Sequence, residues 1–123
     1  MALTTTPTCG GDFPDVIAKE PDLTSTAIVD VFDGAKSVHT ISLSNTGVGS
    51  NIVYVRAYNS GSVDPANDVP DLKIKLAASS TLNVIIADGL SFTTAFSLRC
   101  STGSQDTNTG APGGTIAVAL TGS

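Results

Sequence analysis

The stretch "SGSVDPANDVPDL", Ser60–Leu72, holds the densest set of oxygen ligands in the sequence. Four candidates for binding a metal fall within it: Asp64, Asn67, Asp68 and Asp71. An EF-hand loop needs the spacing D-x-[DN]-x-[DN]-G with a distal Glu, and this stretch has neither. Two prolines also stiffen the backbone. We therefore predict a connection between strands, in which Asp and Asn side chains cap turns, and no metal site.

The same carboxylates could serve glycoside hydrolysis only if two lay in one cleft and burial raised the pKa of one. The polar composition of the stretch predicts a solvated loop, so we assign no catalytic carboxyl. His39, the single histidine, shares a predicted strand face with Ile41 and Leu43, which favours a packed, hydrogen-bonded role. The sequence has no G-x-S-x-G elbow and no phosphate-binding glycine turn. We predict no catalytic residues and no enzyme.

The two cysteines, Cys9 and Cys100, are far apart in the sequence. The chain shows no basic, apolar leader, so we expect synthesis and use without Sec export and a reducing compartment that favours free thiols. Their pairing stays open at this point. One histidine and two distant cysteines do not form a zinc-binding pattern. Cys100 lies on an apolar strand face, typical of a small buried residue, and we predict no metal and no cofactor.

Composition argues against two further classes of partner, nucleic acid and membrane. The 123 residues fit one domain, and only 14% are charged, against about 25% in ordinary soluble domains. The net charge is −5 and the six Lys and Arg residues are scattered, which disfavours nucleic acid as a partner. No apolar run reaches the roughly 18 residues of a membrane helix, so we expect no membrane partner.

Hydrophobic alternation predicts how these residues are positioned. Residues 1–25 are predicted to be an extended N-terminal arm, with one helical turn as an alternative at Asp15–Glu20. Residues 26–123 are predicted to form one domain of about seven strands: Thr26–Asp33, Ser37–Asn45, Ile52–Asn59, Asp71–Ala77, Thr81–Ala87, Ser91–Ser101 and Thr115–Thr121. Asp88-Gly89 is a predicted turn. The predicted fold is all-β, an antiparallel β-sandwich or flattened barrel.

Residues 40–121 resemble small β-sandwich structural proteins of tailed bacteriophages and prophages. The resemblance rests on the order of "SLSNTG", "NIVYVRAYNS", "VDPANDVPDLKIKLAASS", "DGLSFTTAFSLRCSTGSQDTN" and "GTIAVALT". The segment "FTTAF" lacks the glycine expected after its threonines, and residues 1–35 match nothing in the pattern. The position on a particle therefore stays open.

The resemblance implies a structural virion protein, assembled in the host cytoplasm and located on the particle surface. The first expectation is a capsid decoration or cement protein that binds the outside of the major capsid protein shell and stabilises it. The alternative is a tail, neck or fibre-associated structural protein, or a receptor- or carbohydrate-binding module. Expected partners are the major capsid protein, the chain itself, for example as a homotrimer, or both. Residues 1–25 and the loops 60–71 and 101–114 are the contact candidates.

Overall fold

The computed structural model describes residues 3–7 and 16–123, which form two packed antiparallel sheets. It contains eight strands: β1 (Thr4–Pro7), β2 (Val16–Glu20), β3 (Lys36–Thr46), β4 (Val53–Asn59), β5 (Leu72–Leu76), β6 (Thr81–Phe92), β7 (Phe96–Ser101) and β8 (Thr115–Gly122). The large sheet has the order β1-β2-β8-β3-β6 and the small sheet the order β5-β4-β7. The predicted all-β sandwich is confirmed. Within the described residues, no helix is long and apolar enough to cross a membrane.

The core lies between the two sheets and is mostly aliphatic. On the large sheet, β3 contributes Ile41 and Leu43, and β8 contributes alternate residues from Ile116 to Leu120. On the small sheet, β4 contributes Val53, Val55 and Ala57, and all six residues of β7 are buried. Burial of each Val, Leu or Ile side chain stabilises the fold by about 1.5–3 kcal/mol.

The strand predicted at Thr26–Asp33 is wrong. This segment is irregular: it forms one isolated bridge, between Ile28 and Leu98, and a single backbone hydrogen bond from Val31 to Phe96. Asp30 and Asp33 adopt positive φ angles of 52° and 56°, which a strand does not allow. The Asp30 carboxylate accepts a hydrogen bond from the backbone N–H of Gly34, and such local bonds compete with a sheet ladder. The apolar alternation reflected burial of the segment, not a strand.

Two further boundaries differ from the prediction, both around β6. The Asp88-Gly89 turn is part of β6, where the pairing with β3 is irregular: Val38 faces Leu90 but Thr40 faces Ile85. Four residues of β6 thus lie opposite His39 alone. The strand predicted at Ser91–Ser101 is interrupted at residues 93–95, where the chain passes from the large sheet to the small one.

The irregular pairing also changes the side of β3 on which Val38 lies. Alternation alone placed Val38 with Thr40, Ser42 and Ser44 on the outer face. In the structure Val38 is fully buried, as is Ile41 three residues later. Against β8, Val38 pairs with Gly122 and Thr40 with Thr121, so His39 is one extra residue in β3. Such a bulge reverses the inward and outward alternation beyond it. This reversal brings Val38 into the core and leaves His39 half-buried.

Residues 16–20 form a strand, so the alternative of a helical turn in this segment is wrong. Strand β2 is hydrogen-bonded to β8 over Val16–Glu20, and β1 adds to its other side. Ala18 and Leu23 are fully buried. This part of the predicted arm is therefore extended, as expected, and it is paired within the large sheet.

Candidate contact surface

The loop 60–71 is built around the Asp64 carboxylate. That carboxylate accepts hydrogen bonds from the backbone N–H of Ala66 (3.0 Å) and the side-chain amide of Asn67 (2.7 Å). The Asp68 carboxylate accepts the backbone N–H of Asp64 in return, at 2.7 Å. The Asn67 amide, and after it the Ala66 N–H, hold the pKa of Asp64 below its ordinary value. These bonds within the loop satisfy the carboxylates and fix a turn.

The last aspartate of the loop starts the next strand. Asp71 accepts the backbone N–H of Asn59 at 2.7 Å, and its own N–H donates to the carbonyl of Ala57 at 2.9 Å. Together these two bonds close the loop at its base. Among the residues that the structure describes, no group of three or more His, Cys, Asp or Glu side chains is placed to hold a metal ion. The hydrogen bonds of these aspartates show that they stabilise the turns of the loop.

Three cationic side chains form a row across the outer face of the small sheet. Strand pairing sets Lys73 of β5 opposite Arg56 of β4, and Arg56 opposite Arg99 of β7. We call these three residues the cation row, and they are half of the six Lys and Arg residues in the chain. Arg56 and Arg99 are fully buried, whereas the Lys73 side chain is 37% exposed.

The loop between β7 and β8 folds back over the cation row, and its backbone carbonyls accept the hydrogen bonds of that row. Arg56 donates to the carbonyls of Gly103 and Gln105. Arg99 donates to the carbonyls of Asp106 and Asn108 at 2.7 and 2.6 Å. Lys73 donates to the carbonyl of Ser104 at 2.8 Å. Five loop carbonyls, those of residues 103–106 and 108, therefore accept hydrogen bonds from the three cations.

Side chains complete the anchoring of this loop. The Asn108 side-chain oxygen accepts the backbone N–H groups of Gly103 (2.9 Å) and Gly110 (3.0 Å), which draws the two ends of the segment together. Lys73 forms an ion pair with Asp106 at 2.9 Å, on the solvent-exposed rim. We call residues 102–110 the 102–110 loop. Its shape is set by its bonds to the sheet and by the hydrogen bonds within the loop.

Among the described residues, no carboxylate accepts a hydrogen bond from the guanidinium of Arg56 or Arg99. Besides loop carbonyls, Arg56 donates to the Tyr54 carbonyl and the Ser101 hydroxyl, and Arg99 Nε donates to the Tyr58 hydroxyl. Burial, and then repulsion from Arg99, lower the pKa of Arg56. Carbonyl dipoles thus replace counter-charges, so each carbonyl bond contributes more than an ordinary surface contact.

At its centre the outer face of the large sheet carries small, uncharged side chains, and Lys19 of β2 lies beside Ala119 at the margin of this patch. Strand pairing places Ser42 next to Ala119 and Ser44 next to Ala117 at its centre. A shallow groove of about 670 Å³ runs over them. Its other lining residues come from β1, β2, β3, β6 and β8: Thr4, Lys19, Glu20, Pro21, Leu43, Thr81, Asn83 and Val118. Small side chains lose little conformational entropy on docking.

His39, Tyr54 and Tyr58 are all buried or half-buried in the structure. His39 Nε2 lies 2.8 Å from the hydroxyl of Ser123, at the C-terminal end of the sheet. Tyr58 is buried, and Tyr54 is half-buried beside Arg56, so β4 is covered on both faces. Cys9, and with it the question of a disulfide, lies outside the described residues. The same holds for residues 1–2 and 8–15 of the expected contact arm.

Cys100 is fully buried and donates to the carbonyl of Leu23. Burial, and then the charge of Asp22, raise the pKa of its thiol to about 12. Because the thiolate is the reactive form, native Cys100 is expected to resist iodoacetamide near pH 8 and to react fully after denaturation. Peptide mass mapping separates it from Cys9. Rapid labelling of the native Cys100 peptide would contradict this assignment.

The cation row was not singled out from the sequence. Arg56 and Arg99 sit in strands rich in Val, Tyr and Ser, and the positive charges looked scattered along the chain. Only strand register brings Lys73, Arg56 and Arg99 together. A usable signal was present, because an arginine in the middle of an otherwise apolar strand must find partners when both faces are covered.

Comparison of the chain with protein-family models, curated proteins and solved structures found no match.

Proposed function

We propose that this chain is a structural component of a tailed-phage particle, a decoration or cement protein that binds the outside of the major capsid protein shell. The proposal starts from the sequence resemblance over residues 40–121. The observation that carries it is the 102–110 loop, whose carbonyls are fixed by the cation row while its outer side chains remain free. A loop ordered in advance loses less entropy when it docks, and so contributes more to affinity.

Two further features support a binding role. The outer face of the large sheet is small and neutral around Ser42, Ser44, Ala117 and Ala119, and charge is depleted at the centre of protein interfaces. Arg56 and Arg99 hold the 102–110 loop against the sheet, so these two positive charges serve the architecture. Many copies on a shell add buried area between neighbouring capsid subunits and slow their separation.

The test uses purified particles and the isolated protein. The protein is expected to sediment with intact particles, and particles that lack it are expected to release their genome at a lower temperature. Adding the protein back restores the higher temperature. Particles that contain none of it, or whose heat stability is unchanged without it, would overturn the proposal. Particle imaging separates a position on the capsid from one on the neck or tail, and saturable binding on a glycan array favours the receptor-binding alternative.

A variant tests the loop itself. Gln105→Glu with Thr107→Glu adds two charges on the exposed side of the 102–110 loop, and we expect capsid affinity to fall roughly tenfold. Val48→Glu, on a fully exposed side chain in another loop, is the matched control. Equal affinity for the two variants would show that the 102–110 loop is not the contact.

A further inference from the structure

The four outer edges of the two sheets differ in how well they are protected from pairing with another strand. The β7 edge is covered, because Ile28 exchanges two backbone hydrogen bonds with Leu98 (2.9 and 3.0 Å) and Cys100 donates to Thr24. The β5 edge is five residues long and carries Lys73 and Lys75. The β1 edge is four residues long and ends in a proline. Short length, lysine, proline and covering segments are the means by which proteins prevent edge-to-edge pairing.

Over Thr81–Ile85, before its irregular pairing with β3 at residues 86–89, strand β6 has none of these protections from the described part of the chain. It is the longest strand, with 12 residues, and no described strand pairs with its outer side. It contains no Lys, Arg or Pro, and its single charge is Asp88. Three large apolar side chains on it reach solvent, with Ile85 79% exposed and Leu82 and Leu90 each 37% exposed. A long edge with exposed apolar side chains and a single charge near its far end is a template for another strand.

We propose that β6 pairs antiparallel with β6 of a second copy of this chain, about a two-fold axis, over Thr81–Ile85. The stretch is set by the register with β3, which is regular from Thr81 to Ile85 and irregular immediately after it. Pairing would join two five-stranded sheets into one continuous sheet. This inference concerns the isolated protein in solution and stands independently of the proposed role on a particle.

The symmetry fixes the register. A two-fold axis perpendicular to the sheet keeps both cores on the same side, so inward residues must face inward residues and one residue must face its own copy. Centring the pair on Asn83 uses the whole regular stretch. Thr81 then lies opposite Ile85 of the second copy, and Leu82 lies opposite Val84. The most exposed side chain of the strand, Ile85, thereby gains Thr81 of the second copy as a cross-strand neighbour.

The neutral stretch Thr81–Ile85 allows a second copy of the chain to approach this edge. The chain carries a net charge of −5, so two copies repel over most of their surfaces. Residues 81–85 are neutral, and with the pair centred on Asn83 the Asp88 side chains lie beyond the paired stretch at opposite ends. The edge is therefore the long uncharged element along which two copies can approach. An antiparallel strand edge also supplies donors and acceptors in the alternation that its own copy requires.

Analytical ultracentrifugation over micromolar to near-millimolar concentrations tests the pairing. Wild type is expected to shift from monomer to dimer, and Ile85→Lys is expected to remain monomeric. Val69→Lys is the matched control, because Val69 is 72% exposed but lies in the loop 60–71. Circular dichroism and melting temperature confirm that both variants fold. A wild type that stays monomeric, a trimer, or an Ile85→Lys variant that still dimerises would each overturn the proposal.

A cross-linking experiment tests the register. Facing residues in antiparallel pairs have Cβ atoms about 4.5–5.5 Å apart, within reach of the disulfide spacing after small shifts. In a Cys9→Ser background, Asn83→Cys is expected to give disulfide-linked dimers on mild oxidation, whereas Ala87→Cys stays uncross-linked. Equal cross-linking of the two variants would contradict pairing centred on Asn83. Neither result depends on particle binding, so failure here and failure of the proposed function are distinguishable.

Discussion

Replacing Arg56 or Arg99 with methionine is expected to lower the free energy of unfolding by about 3 kcal/mol, a large effect for a side chain outside the aliphatic core. Methionine keeps an unbranched stem of similar length but donates no hydrogen bond. Arg99 holds the carbonyls of Asp106 and Asn108, and Arg56 holds those of Gly103 and Gln105. Each substitution leaves two loop carbonyls without their charged donors, so the 102–110 loop should separate from the sheet.

Lys73→Met is the matched control for this prediction. Lys73 belongs to the same cation row and bonds to the same loop, but its side chain is 37% exposed. Exposed ion pairs contribute about 0–1 kcal/mol, so the control should change stability little. Urea denaturation measures the loss, and hydrogen exchange or limited proteolysis of the 102–110 loop shows where it occurs. Equal stability loss in all three variants would show that burial of the arginines is not what anchors the loop.

The second large effect is expected at Phe96, where β7 begins. Its ring packs edge-on against Phe92, with centroids 4.6 Å apart at 88°, and lies 5.8 Å from the ring of Phe32. Phe96 is 1% exposed. Phe96→Ala is expected to cost about 3–5 kcal/mol, because the cavity cannot close between two sheets. Against a typical total of about 5–15 kcal/mol, this variant should be close to unfolding at physiological temperature.

Phe96→Leu separates cavity formation from the loss of the aromatic contacts. Leucine restores most of the volume, so the loss should fall to about 1.5 kcal/mol or less. Thermal melts and urea midpoints of the two variants, compared at equal slope, measure the difference. Identical losses for alanine and leucine would point to the ring contacts, and not the cavity, as the source of stability.

The sequence predicts most of this fold because neighbouring strands obey a period of two. Strands β3, β4, β5 and β8 begin and end within one or two residues of the predicted limits. The strand predictions failed where the chain departs from this alternation. Asp30 bonds to Gly34 and turns the chain within the segment predicted as a strand. Four residues of β6 oppose His39 alone, and alternation cannot detect such an irregularity before the pairing is known.

The candidate contact surface was harder to predict from the sequence than the fold. The loops 60–71 and 101–114 were identified from composition, and the capping role of Asp64 followed from the chemistry of its side chain. The cation row depends on cross-strand register between β4, β5 and β7, which three separate segments of sequence do not contain individually. The unprotected edge of β6 likewise becomes visible only when the order of the strands is known.

The way in which the 102–110 loop is held has a consequence for how this protein can change over evolutionary time. The sheet holds the loop by hydrogen bonds to backbone carbonyls, which every residue type supplies. Of the loop side chains, only those of Asp106 and Asn108 take part in the anchoring. Ser104, Gln105, Thr107 and Thr109 face solvent. Mutations at these four positions can therefore accumulate without loss of the fold. In the capsid-binding role proposed above, these positions would let binding specificity diversify, and a foreign peptide epitope could be displayed there.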